Sequence, residues 1–138
     1  MKKVLFDTNI ILDIALKRNP YFQKALLLFG LINENKIAAN ITATTITDIY
    51  YITKKTTGHE LALEFISNLV ETVDIIGINK DIIQTALESN IKDFEDAVQI
   101  SAASFATIDC IITRNKKDFI NSQIEIVTPT EFLEKYNF

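Results

Sequence analysis

The sequence predicts an α/β domain, a mostly parallel five-stranded sheet with helices on both faces. Three observations point to it. Short apolar runs alternate along the chain with longer stretches of helical spacing, the pattern of strands joined by crossover helices. The first run, Val4-Leu5-Phe6, is apolar on both faces, as the centre of a helix-covered sheet requires. Hydrophobic residues make up 48% of the chain and charged ones 23%, with only three Gly and two Pro, which excludes disorder and collagen-like repeats.

Taken in order, a first strand over 4–7 ends at Asp7, where the chain turns polar. Ile10-Ile11-Leu12 and Asp13 follow, then the polar patch Lys17-Arg18-Asn19. Asn19 before Pro20 predicts an N-cap with proline at the first helical position. The next helix sets Phe22, Ala25, Leu26, Phe29 and Ile32 on one face. Ile37-Ala38-Ala39 is the second strand. Thr42 then caps a helix through Ile46, Ile49, Tyr50 and Ile52. Thr57 and Glu60 have capping-box spacing ahead of an amphipathic helix carrying Leu61, Phe65 and Leu69.

A third strand over 73–78 leads to an Asn79-capped helix through Ile82, Ile83, Ala86 and Leu87. Asp93 caps the following helix, whose Ala97, Ser101, Ala102 and Ala106 permit close approach to the sheet. Strand four covers 110–113 and strand five 124–127, where Glu125 suits an edge. Thr128-Pro129-Thr130-Glu131 is a capping box opening a last short helix. One domain over 1–138 is expected, without repeat or linker.

Composition narrows the function classes. A net charge of −4 and a pI of about 5.0 argue against a broad, non-specific nucleic-acid binder. They leave room for an enzyme that meets nucleic acid through cations, which invert local charge logic. No apolar run reaches the ~20 residues of a membrane helix. Asp7 and Asp13 interrupt any signal-like region, so a cytoplasmic protein is expected. Cys110, the single cysteine, lies in an apolar run and reads as packing in a reducing compartment. The mean hydropathy of +0.16 hints at apolar surface covered by a partner.

The acids carry the chemistry. In open α/β sheets, ligands gather at the carboxyl ends of the strands, where Asp7 lies. Asp48, on the helix after strand two, and Asp96, in the first turn after Asp93, can join it there. So can Asn115 and Asp118, directly after strand four. Each has a plainer reading: Asp96 complements a helix N-terminus, Asp48 is a solvated position on an amphipathic helix, and Asn115 and Asp118 are turn residues. His59, the only histidine, falls in a capping turn. Tyr50 and Tyr51 read as packing or a dimer contact ahead of base stacking.

Together, Asp7-Thr8-Asn9, the stretch Ile46-Thr47-Asp48-Ile49-Tyr50-Tyr51, Asp93-Phe94-Glu95-Asp96-Ala97 and the run from Thr113 to Phe119 resemble the PIN-domain ribonucleases. The nearest likeness is to the single-domain toxins of toxin–antitoxin pairs. The resemblance implies a three-layer PIN-like domain, strand order 3-2-1-4-5, and an acidic metal-binding cluster at the carboxyl ends of the central strands. On that likeness Asp7, Asp48, Asp96 and Asn115 are the catalytic set, the three aspartates being metal ligands. Asn9, Asp93, Thr113 and Asp118 support them.

Oxygen ligands of this kind suit Mg²⁺ or Mn²⁺, and no His, Ser or Cys nucleophile is needed. Asp48 stands where the family more often has Glu, and Asn115 where many members have Asp. The core therefore carries a formal charge of −3 instead of −4, and a preference for Mn²⁺ over Mg²⁺ is expected.

RNA is the implied substrate. Arg18, Lys54, Arg114 and Lys116, with Lys17, Lys55 and Lys117, are the expected phosphate contacts around the mouth. A homodimer and an antitoxin protein are the implied partners, with no membrane. Two other readings stand beside this one. A phosphatase of the haloacid-dehalogenase type also begins with an aspartate after strand one, but needs a second Asp where Asn9 stands. A PIN-like RNA-binding module weakened in catalysis would account for Asp48 and Asn115.

Overall fold

The computed structural model describes residues 1–119 and 122–136. Five strands, β1 (Lys2–Phe6), β2 (Ile37–Thr42), β3 (Asp74–Ile76), β4 (Cys110–Ile112) and β5 (Glu125–Val127), form one sheet in the order β3-β2-β1-β4-β5. Every pairing is parallel, with Val4 opposite Ala39 on one side and Cys110 on the other. The order 3-2-1-4-5 is therefore as expected, and Glu125 does lie on an edge strand.

The side-chain alternation of β1 divides the core. Val4 and Phe6 point to one face, with Cys110 and Ile112 beside them. That face is covered by α1 (Thr8–Ala15), α2 (Phe22–Asn33) and α7 (Pro129–Glu134), through Ile11, Leu28, Leu31 and Phe132. Leu5 and Ile111 point the other way, toward Ala103 of α6 (Phe94–Phe105). Burial of β1 on both faces explains its unbroken apolar run.

α3 (Ala43–Thr57) and α4 (His59–Thr72) follow β2, and α5 (Lys80–Leu87) precedes α6. Cys110 is buried within the core, and burial pushes its thiol up to about 11, which leaves it inert. No helix among the described residues is long and apolar enough to cross a membrane.

Several local expectations are corrected. Asp7 is not the last residue of β1. It is the N-cap of α1, accepting from the Thr8 N–H. Asn19 and Pro20 do not open α2, which starts at Phe22, whose N–H donates to the carbonyl of Arg18. The buried stripe of α2 is Ala25, Leu28 and Leu31, while Leu26 turns outward.

Thr57 and Glu60 form no capping box. Gly58, at φ 91°, ends α3 and begins α4, and the Thr57 hydroxyl donates back to the Thr53 carbonyl. His59 is accordingly the first residue of α4, with Nδ1 2.8 Å from the Tyr50 hydroxyl. Leu61 is exposed. The small residues Ala97 and Ala102 of α6 face α5 more than the sheet, and the Ser101 hydroxyl donates to the Ile82 carbonyl there. The caps at Asn79 and Asp93 and the box at Thr128–Glu131 form as expected.

Candidate active site

Three parallel strands end side by side at one edge of the sheet, and their continuations build a cleft of about 370 Å³. Asp7, Asn9, Asp48, Asp93, Glu95, Asp96, Asn115 and Asp118 all line it. The sheet order explains the gathering. β1 lies between β2 and β4, so the residues after all three strands share an edge, and the start of α6 crosses it.

Asp7 is the most constrained of these groups. Its Oδ1 accepts from the Thr8 N–H at 2.8 Å and from Nε2 of Gln99 at 3.1 Å. Its Oδ2 accepts from the Thr113 hydroxyl at 2.8 Å. Thr113 in turn accepts from the Asn115 N–H at 3.1 Å, which leaves its one hydroxyl proton for Asp7. With two bonds on Oδ1 and one on Oδ2, the remaining acceptor capacity of this buried carboxylate is on Oδ2.

A threonine chain seats Asp48. The Thr8 hydroxyl lies 2.9 Å from that of Thr45, which lies 3.2 Å from that of Thr42 at the end of β2. These contacts tie the first turn of α3 to α1, and Asp48 follows Thr45 by about one helical turn. Asp93 is turned to its own helix, accepting from the Asp96 N–H at 3.1 Å. That bond and Asp93's place on the cleft wall coexist.

The electrostatics register the crowding. Burial, and then the charges of Asp93, Asp7 and Asp118, raise the Asp96 carboxyl to about 7. Glu95 also rises to about 7, through burial and then its hydrogen-bonding contact and charge with Asp48. The cleft thus holds uncompensated negative charge. Among the described residues, no three acidic, imidazole or thiol groups already converge as a ready-made ion site. The donors are nevertheless all oxygen, as a hard divalent cation prefers, and such an ion bridges looser carboxylates through its retained waters. The donor set fits Mg²⁺ or Mn²⁺.

The basic residues divide. Arg114 is not free at the mouth. Its Nε and Nη2 donate to Oδ2 and Oδ1 of Asp13 at 2.9 and 3.2 Å, and its guanidinium lies 3.7 Å over the Tyr21 ring. Arg18 reaches the cleft wall, donating to Oδ1 of Asn9 at 3.3 Å. Lys116 is paired with Glu131 at 3.1 Å, and Lys54 sits 5.6 Å above the Tyr50 ring. Lys17, Lys55 and Lys117 are exposed.

Three residues escaped the sequence reading. Glu95 lies in a quoted motif and shares the contact with Asp48, so its acidic neighbourhood was a usable signal. Gln99 and Asp13 gave none, since each acts through a partner about a hundred residues away.

Comparison with known proteins bears on the family and the fold. A family model described as "PIN domain" matches residues 3–117. The chain is 30% identical over 141 residues to Ribonuclease VapC1 of Aquifex aeolicus strain VF5, covering 99% of this chain and 96% of that protein. Among solved structures, a toxin–antitoxin complex from Klebsiella pneumoniae matches with a TM-score of 0.70 at 27% identity, over 91% of this chain and 97% of that one. VapBC2 from Rickettsia felis, bound to a DNA fragment from its promoter, shares the fold at a TM-score of 0.69 and 16% identity, over 91% and 98% of the two chains.

Proposed function

The chain belongs to the PIN-domain family, and from that membership we propose that it is a divalent-metal-dependent endoribonuclease, the toxin of a toxin–antitoxin pair. One observation carries the reading beyond family likeness. Acids from separate segments open on a single cleft, where burial and then the charges of Asp93, Asp7 and Asp118 raise Asp96 to about 7, and a divalent cation would relieve that repulsion.

Asp7, Asp96 and Asp48 would hold the ion, with Asn115 as a neutral oxygen donor and Glu95 near Asp48. A bound Mg²⁺ or Mn²⁺ would acidify an attacking water and neutralise charge on the phosphoryl oxygens. The chain's own part is positional. Thr8 and Thr113 fix the Asp7 carboxylate by one hydrogen bond on each oxygen. Asn9, held by Arg18, forms the wall beside it. Exposed Lys17, Lys55 and Lys117 attract the RNA backbone without reading sequence.

The family relatives support an antitoxin partner, since the Klebsiella pneumoniae structure is described as a toxin–antitoxin complex. Exposed Tyr51, Leu61 and Val70 on α3 and α4 offer apolar surface for such a partner or for a homodimer. A cytoplasmic setting follows from the RNA substrate.

The test is cleavage of a labelled RNA with Mg²⁺ or Mn²⁺ titrated against wild type, Asp7→Asn and Asp96→Asn. Metal-dependent cleavage lost in both variants supports the reading, and stronger activity with Mn²⁺ supports the weakened charge of the site. RNA binding without cleavage at any metal level would favour a binding module. Hydrolysis of a small phosphate ester alone would favour a phosphatase.

A further inference from the structure

Gln99 is a buried polar residue that neither packing nor the proposed chemistry accounts for. It lies on α6 one turn after Asp96, with 1% of its surface exposed. Its Nε2 donates to Oδ1 of Asp7 at 3.1 Å. That orientation buries Oε1 with no hydrogen-bond partner among the described residues. Turning the amide over would aim its oxygen at a carboxylate, so Asp7 dictates which end faces it.

A stranded buried acceptor is a cost to folding, and an apolar side chain of equal size would avoid it. Packing alone therefore favours Met or Leu at this position. What the glutamine supplies is a second donor to Oδ1. The terminal torsion of an aspartate is broad and roughly two-fold, so a carboxylate held by fewer donors has more freedom to turn. Thr8 is a neighbour in sequence and Thr113 reaches only Oδ2. Gln99 is the donor that arrives from α6, the helix that also carries Asp96.

We infer that Gln99 is a positioning residue, which holds the Asp7 carboxylate with Oδ2 toward the cleft so that Asp7 and Asp96 meet a divalent cation in register. The inference rests on the metal-dependent reading above. It separates binding from stability, because the group that orders the ligand also strands an acceptor.

The experiment compares wild type with Gln99→Met and Gln99→Leu. Thermal unfolding is measured without metal, and Mn²⁺ binding is measured by isothermal titration calorimetry. The expected result is a melting temperature close to wild type, with Mn²⁺ affinity weaker by about 10–100-fold, the range for outer-shell partners. Melting stays close because the lost bond to Oδ1, which keeps the Thr8 N–H, is offset by removal of the stranded Oε1. Unchanged Mn²⁺ affinity in both variants overturns the inference whatever their melting behaviour. Weaker affinity accompanied by lower melting in both variants also overturns it, since general loosening then explains the loss. Wild type that binds no Mn²⁺ and cleaves no RNA removes the functional reading and this inference together. Wild type that binds and cleaves beside unaltered variants removes this inference alone.

Discussion

The Thr113 hydroxyl donates to Oδ2 of Asp7 at 2.8 Å, joining the end of β4 to the N-cap of α1. The Thr113 hydroxyl oxygen accepts from the Asn115 N–H at 3.1 Å, so one side chain orients both the first acid and the loop that carries Asn115. Thr113→Val keeps the shape and removes the hydroxyl. It leaves a buried carboxylate oxygen and the Asn115 N–H short of their partners, at a cost of ~1–3 kcal/mol. Denaturant unfolding should show that loss, and RNA cleavage should fall with it. Thr113→Ser should retain most of both.

Asp7→Asn and Asp96→Asn should separate activity from stability. Each removes a proposed metal ligand, so cleavage should drop by more than the ~10–100-fold typical of outer-shell changes. Asp96→Asn also removes charge from a crowded cleft in which Asp93, Asp7 and Asp118 repel it. Metal-free Asp96→Asn should therefore melt above wild type. Melting below wild type would show that Asp96 is held by contacts stronger than that repulsion.

The acid cluster sets a pH dependence with a definite sign. Asp96 and Glu95 stand at about 7 in the metal-free fold, above their ordinary values of 3.8 and 4.5. Between those values and about 7 the folded state binds more protons than the unfolded chain. The stability contributed by these groups is thus full below their ordinary values and is lost as pH rises toward 7. Cation binding needs the ionised carboxylates and runs the other way, strengthening up to about pH 7 and levelling above it. Melting curves and Mn²⁺ titrations at pH 5.5 and 7.5 should show the two trends crossing. Asp96→Asn should make both trends shallower, leaving the part that Glu95 contributes.

How much of this was legible in the sequence depended on the range of the contact. Asn79, Asp93 and the Thr128–Glu131 box cap their helices through bonds spanning three residues, and their spacing announces them. The Thr57–Glu60 spacing looks the same, but Gly58 between them adopts a positive φ that ends one helix and starts the next. The parallel sheet followed from apolar runs that must be buried on both faces. Its strand order followed only from family resemblance, since periodicity carries no information on neighbours. Asp7 and Asp96 stood out because acids at strand ends and first helical turns are conspicuous, whereas Asp48, in the second turn of α3, was singled out by the family resemblance. Gln99 and Asp13 did not stand out, because α6 and α1 each need a distant partner before those side chains acquire a role.

Arg114 illustrates the difference between a basic residue at the mouth and one that holds the fold. Asp13 has only 1% of its side chain exposed, and burial pushes its carboxyl up against the opposing pull of Arg114 and Arg18. The two-pronged contact from Arg114 satisfies both carboxylate oxygens, and the stack on Tyr21 holds the guanidinium plane. Removing Arg114 leaves the buried Asp13 carboxylate with only the more distant Arg18, at 3.9 Å, so the cost approaches the ~3–5 kcal/mol of a broken buried pair. Arg114→Ala should therefore destabilise the protein by that order in denaturant unfolding. Arg114→Lys should recover only part of it, because an ammonium can neither engage both oxygens in a fixed plane nor stack as the guanidinium does. Lys116→Ala breaks only an exposed pair with Glu131 and should change stability by ~1 kcal/mol or less. If Arg114→Ala instead keeps wild-type stability and loses only RNA affinity, measured by salt-dependent binding, then Arg114 is a phosphate contact and its bond to Asp13 is incidental.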